Sequence, residues 1–162
     1  MSYKIEYSHK GKISGRFELP ASKSISNRVL IINALSGSDK SVANLAKCDD
    51  TDVMVKALAS DSHLVDIGAA GTSMRFLTAY LSIKSGEWTI TGSQRMKERP
   101  IQILVDALRS IGADIEYAEN EGFPPLEIRG KEIEGGDVEI DGSVSSQYIS
   151  ALMMIAPMLK NG

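Results

Sequence analysis

The stretch GAAGTSMRFLTAYLSI, residues 68–83, decides the fold. It joins a loop of small residues to a helix that is apolar on nearly every side. A surface helix carries one apolar stripe, whereas a helix with no polar face is buried on most sides. The same construction recurs upstream and downstream. Pro20-Ala21-Ser22-Lys23-Ser24 leads into SNRVLIINAL (26–35), which Gly37 closes as a left-handed C′ residue. Asp141-Gly142-Ser143-Val144-Ser145-Ser146 leads into QYISALMMIAPML (147–159), in which Met153, Met154 and Met158 read as core. Three buried helices, each preceded by a small-residue loop, imply a helical centre with sheets outside it.

Around these helices the elements repeat in one order. Unit 1, about 12–67, has a strand over 12–19, the apolar helix, a strand over 40–45, and a helix over 50–59 capped by Asp49 or Asp50. A closing strand follows over 63–67. Unit 2, about 68–130, has the apolar helix over 73–83 and a strand over 87–91. Its amphipathic helix spans 100–111, with Pro100 as the first residue and Gly112 after the end. A hairpin of 114–117 with 126–129 turns around Asn120-Glu121-Gly122. Unit 3, about 135–162, has a strand over 137–140 and its apolar helix, and lacks the later strand and helix. A repeat that cannot cover its own apolar face needs a neighbour. We therefore expect one incomplete domain of a longer chain, α/β (α+β) in class.

Composition narrows the function. The chain has 162 residues, 43% hydrophobic and 24% charged, which is a folded rather than a disordered mixture. Lys plus Arg number 18 against 21 for Asp plus Glu, a net charge of −3, so a bulk polyanion such as nucleic acid is not the expected partner. Cys48 is the single cysteine, which excludes an internal disulfide and an all-cysteine zinc site. No run approaches the ~18 apolar residues of a membrane span. The first twelve residues lack the apolar core of a secretory signal, so the expected address is the reducing cytoplasm.

The three loops share a chemistry. Free N–H groups at a helix N-terminus, with about half a positive charge from the helix dipole, favour anions. Lys23, Arg28, Arg75, Arg95, Lys97 and Arg99 add cations near these loops. Taken singly, each has a plainer reading. Ser24 and Ser26 serve as ordinary caps, GAAGT is a tight turn, Glu98 pairs with its basic neighbours, and Ser145-Ser146-Gln147 varies a capping box. His9 and His63 are isolated, and Cys48 sits beside two carboxylates that disfavour its thiolate. Asp49, Asp50 and Asp52 suit a magnesium ion or, more simply, a helix N-terminus.

Taken together, four motifs in order are specific. LPASKSISNR (19–28), GAAGTSMRFLTA (68–79), RMKERPIQILVDALRSIGA (95–113) and IDGSVSSQYISALMM (140–154) resemble the 5-enolpyruvylshikimate-3-phosphate synthase family, from about residue 12 onward. The resemblance implies two similar domains of βαβαββ units with buried parallel helices, the inside-out barrel of the enolpyruvyl transferases. This chain would be the N-terminal part of such a two-domain enzyme. It also implies transfer of the enolpyruvyl group of phosphoenolpyruvate to the 5-hydroxyl of shikimate 3-phosphate, releasing phosphate, by addition and elimination. No metal or organic cofactor is implied, and the complete enzyme is expected to be a monomer.

Carried over by motif, Lys23 is the catalytic residue that touches both substrates. Ser24 and Arg28 hold the shikimate carboxylate, and Ser145 and Ser146 the phosphate of shikimate 3-phosphate. Gln147 lies over the ring and reaches both ligands. Gly71 lets the backbone approach phosphoenolpyruvate, Arg99 pairs with its phosphate, and Arg75 is structural. Ala21, Ala69 and Phe76 depart from the family's usual Gly, Asn and Pro. The acid/base carboxylates belong to the other domain, so the chain alone is expected to bind shikimate 3-phosphate weakly at best and not to turn over. Three rivals stand beside this reading. The UDP-N-acetylglucosamine enolpyruvyl transferase shares the fold but relies on a loop cysteine. A stand-alone phosphate-binding module would need no further chain. A purely structural fragment would bind nothing.

Overall fold

Chain order in the computed structural model, which describes residues 3, 4, 6, 11, 12 and 14–162, runs α1 (Lys23–Leu35), α2 (Asp49–Ala59), β1 (Leu64–Asp66), α3 (Gly71–Ile83) and β2 (Gly86–Thr91). It continues with α4 (Gln94–Lys97), α5 (Gln102–Ser110), β3 (Asp114–Tyr117), β4 (Leu126–Gly130), α6 (Ser146–Ile155) and a 3-10 turn over Ala156–Met158. His9 and Ile13 lie outside the described residues.

Helix α3 is the axis. Gly71–Met74, Phe76–Ala79, Leu81 and Ser82 are all buried, as a helix without a polar face requires. Its hydroxyls do not break this rule. Thr78 donates to Met74 O at 2.8 Å and Ser82 to Thr78 O at 2.7 Å, so each is satisfied one turn back along the helix. Helices α1, α2 and α6 pack against α3 on one side and the sheet covers another, which gives the expected α/β class with helices central and the sheet outside.

The sheet has the order β1-β2-β4-β3. β1 and β2 are parallel and joined by α3, while β2–β4 and β3–β4 are antiparallel. Trp88 stands opposite Ile128 and Ile90 opposite Leu126, and all four side chains face the core. The intervening Glu87, Glu127 and Arg129 point to solvent, the alternation of a half-buried sheet. The segment read as closing unit 1 thus opens this sheet, and β1-α3-β2-α5-β3-β4 forms a full βαβαββ set.

Several expected elements differ. The strands read over 40–45 and 137–140 are absent, and so is any strand over the described residues of 12–19. A strand exists only by pairing, and these segments meet no partner edge among the described residues; Phe17 and Leu19 are almost fully exposed. Helix α1 begins three residues early, at Lys23, because Ser22 Oγ accepts the Ile25 N–H at 3.4 Å. It buries Ser26, Asn27, Leu30 and Ile31 and leaves Ile25 and Ile32 outside, so it is not enclosed as α3 is. Cys48, not an aspartate, is the N-cap of α2, and Asp49, Asp50 and Asp52 occupy its first turn, where the dipole favours them. Pro100 precedes α5 instead of starting it, because Ile101 N donates across to Gly122 O at 2.9 Å. Pro157 has no N–H to continue α6. Met153 and Met158 are exposed rather than core.

One polar contact fixes α1 to the loop before α2. Ser26 Oγ accepts the buried Ala46 N–H at 2.9 Å. Ser26→Ala is expected to lower stability by about 1–3 kcal/mol, since it strands a buried donor. The check is a shifted urea midpoint with an unchanged m-value.

Candidate functional site

The three small-residue loops converge, and the local reasons can be read one by one. Gly68 takes φ +56°, where a Cβ would be strained, and its N–H donates to Asp66 Oδ1 at 2.8 Å. Gly68 O accepts from Ser93 N at 2.9 Å, which ties this loop to the segment leading toward Arg99. Ala70 caps α3 with no side-chain acceptor, so the first amides of α3 remain available to a ligand. In the third loop Ser143 N donates to Asp141 Oδ1 at 2.8 Å. Hydrogen bonds from Ser143 hold the Asp141 carboxyl below the usual carboxylate range. That turn delivers Ser145, whose Oγ accepts from Gln147 N at the start of α6.

Lys23, Gly71, Arg99, Ser145, Ser146 and Gln147 line one open cleft of about 480 Å³. Asp50, Ala69, Thr72 and Arg75 complete its wall. Three cations therefore face one carboxylate in a protein whose net charge is negative. Lys23 Nζ lies 3.4 Å from Asp50 Oδ2, and Gln147 Nε2 donates to Thr72 Oγ1 at 3.3 Å. Neither Arg75 nor Arg99 has a carboxylate partner among the described residues. Gly71 explains how both guanidinium groups approach the backbone. A Cβ there would stand 2.5 Å from Arg99 Nη1 and 3.0 Å from Arg75 Nη1. The arrangement can hold a phosphate-like anion with fixed donors and cations. Among the described residues no three His, Cys, Asp or Glu side chains are grouped as metal ligands, and no helix is long and apolar enough to cross a membrane.

The model of the EPSP synthase (3-phosphoshikimate 1-carboxyvinyltransferase) family matches residues 8–61 and 58–162. The chain belongs to this family. It is 62% identical over 151 residues to 3-phosphoshikimate 1-carboxyvinyltransferase of Bacteroides fragilis strain YCH46, covering 93% of the chain and 37% of that protein. It is 44% identical over 176 residues to the protein of that name in Colwellia psychrerythraea, covering 93% of the chain and 41% of that protein. The solved EPSP synthase from Acinetobacter baumannii superimposes with a TM-score of 0.75 at 24% identity, over 86% of this chain and 38% of that one, a likeness of fold. The chain spans about two-fifths of the length of the curated relatives it matches.

Within this EPSP synthase family chain, two expected site residues stand apart from the cleft lining. Arg28 Nη1 donates to Ser24 Oγ at 2.6 Å and Ser24 O at 3.0 Å, and Nη2 donates to Ser150 Oγ at 2.8 Å. Its guanidinium lies 5.1 Å from the Phe76 ring centroid. Arg28 thus links α1 to α6 beside the cleft. Lys97 is engaged with Glu119, His63 with Trp88 and the Glu87 carbonyl, and Cys48 with Thr51, all away from the lining.

Sequence reasoning gave no substrate-binding role to three lining residues, Arg75, Thr72 and Asp50. Arg75 was counted among the loop cations, and its place on the face of α3 that carries Gly71 was legible from the four-residue spacing. Thr72 and Asp50 were not, because their partners Gln147 and Lys23 are distant in the chain. For this EPSP synthase family chain, Gly71→Ala is expected to weaken inorganic phosphate binding about five- to tenfold, through displacement of Arg99 rather than loss of a charge. Stability should stay level or rise by up to about 1 kcal/mol, because the obstructing atoms are ends of flexible side chains and alanine restricts the unfolded helix. Calorimetric titration beside a thermal melt checks both signs.

Proposed function

We propose that this chain supplies one wall of a site that transfers the enolpyruvyl group of phosphoenolpyruvate to the 5-hydroxyl of shikimate 3-phosphate, releasing phosphate. The observation that carries the proposal is the meeting of Lys23, Gly71, Arg99, Ser145, Ser146 and Gln147 in one cleft.

The reaction brings two phosphate groups, each about −1.5 to −2 in charge, close to two carboxylates. That repulsion must be offset by cations and helix N-termini already in place. Ser145 and Ser146, at the N-terminus of α6, take the phosphate of shikimate 3-phosphate. Ser24 and Arg28, hydrogen-bonded to one another just behind Lys23, take the ring carboxylate. Arg99 and the open amides of α3 take the phosphate of phosphoenolpyruvate, with Gly71 keeping the approach clear. Gln147 lies between the two ligands. Lys23 stabilises charge on the phosphate as it leaves the tetrahedral adduct.

In this proposal the chain is an incomplete domain, the N-terminal part of a two-domain enzyme, with 135–162 beginning a third unit. The groups that move protons come from the part of the relatives' length that this chain does not span. The test is calorimetric titration with each substrate, together with a phosphate-release assay on the chain alone and with the remaining portion supplied in trans. Weak binding of shikimate 3-phosphate, no release alone, and release on complementation are expected. Turnover by the chain alone would overturn the shared-site arrangement. Failure of both binding and complementation would overturn the function. UDP-N-acetylglucosamine in place of shikimate 3-phosphate should give no release.

A further inference from the structure

Arg75 has more connections than packing requires. Its Nη1 donates to Gly71 O at 2.8 Å. Its guanidinium lies 5.4 Å from the Tyr148 ring centroid, and the Tyr148 hydroxyl donates to Pro100 O at 3.0 Å. These three contacts fall on the three segments that build the cleft. Gly71 is itself a lining residue, Tyr148 follows Gln147, and Pro100 follows Arg99.

Two further observations argue against a passive role. Arg75 Nε is buried and meets no hydrogen-bond partner among the described residues, a cost that an apolar side chain of similar length would avoid. Arg75 Nη1 and Arg99 Nη1 also crowd the same point above the Gly71 Cα, and like charges there disfavour each other unless something fixes them or an anion sits nearby.

We propose that Arg75 is a positioning residue for the anion site. Through the Gly71 carbonyl and the face of Tyr148 it holds the ends of three separate segments in register, and by standing behind Arg99 it restricts where that guanidinium can point. The ligand this serves follows from the function proposed above, whereas the clasp itself stands on the contacts alone.

The test uses the full chain, ¹⁵N-labelled, as wild type, Arg75→Met, Arg75→Lys and Tyr148→Phe, with inorganic phosphate as probe and a melt of each variant. In Arg75→Met the amide signals of Gly71, Arg99, Ile101 and Gln147 should move together while Ile115 and Ile128 of the hairpin stay. Phosphate affinity should fall about tenfold at a temperature where the variant is fully folded. Arg75→Lys should restore the Gly71 signal but only part of the affinity, since an ammonium lacks the planar fork that stacks on Tyr148. Tyr148→Phe should move Arg99 and Ile101 and leave Gly71 in place. Signals that move only within α3, or wild-type phosphate affinity in folded Arg75→Met, would overturn the proposal. If Arg75→Met does not fold, Arg75→Lys decides: signals of Arg99, Ile101 and Gln147 that move with a partial loss of phosphate affinity support the proposal, and signals that move only within α3 overturn it. If wild type binds no phosphate, the ligand reading falls and the amide pattern still decides the clasp.

Discussion

Lys23→Ala is expected to lower kcat/KM for enolpyruvyl transfer by about 10²–10³-fold, measured by steady-state kinetics on the chain completed with the remaining portion. Two effects add. The first is the lost cation. A charge about 4 Å from a phosphate is worth roughly 4 kcal/mol at the screening of a protein surface. The second is the carboxylate left behind. Asp50, with its side chain 19% exposed, faces the same cleft, and with its partner gone it would repel the ligand. The double variant Lys23→Ala/Asp50→Asn should therefore recover part of the loss, a coupling that a double-mutant cycle isolates. Stability should barely respond. The Lys23 side chain is half exposed, and an ion pair of that kind contributes less than about 1 kcal/mol. A kcat/KM within threefold of wild type would contradict the role assigned to Lys23.

Phe76→Ala should act in the opposite way, on the fold first. Phe76 is fully buried at the centre of α3. Removing its ring costs about 3–5 kcal/mol in transfer and cavity terms. Against a total stability of about 5–15 kcal/mol, that is a large fraction. The ring also sits under Arg28, so the truncation frees the guanidinium that Ser24 and Ser150 otherwise share. Phe76→Leu, which keeps much of the volume, should cost no more than about 1.5 kcal/mol. Trp88, buried and the single tryptophan, is a native reporter for the urea transitions that compare the three proteins. Equal midpoints for Phe76→Ala and wild type would mean that the centre of α3 is packed otherwise than described.

Much of this architecture is written locally. The burial of α3 follows from GAAGTSMRFLTAYLSI alone, and β2 and the β3–β4 hairpin follow from alternation between turn residues. What failed was whatever depends on a partner. The segments 40–45 and 137–140 have strand-like residues, but a strand is made by the neighbour that accepts its hydrogen bonds. Similarly, α1 reads as apolar all round yet buries Ser26 and Asn27, whose Oγ and Oδ1 accept from Ala46 N in the loop before α2 and from Thr51 Oγ1 on α2. In the cleft, the loop cations and hydroxyls were legible by type and position. Asp50 was read as a cap because nothing in the chain's order reveals that it stands beside Lys23. Arg75 was read as structural because its links to Tyr148 and Pro100 exist only in three dimensions.

The cleft draws its walls from the first, middle and last thirds of the chain. An occupant seated between Lys23, Arg99 and Gln147 would act as a rivet through segments that, among the described residues, no strand pairing joins. Phosphate should therefore raise the melting temperature in a concentration-dependent way, by the ordinary linkage between binding and unfolding. The melting curve of this protein would then double as a binding isotherm.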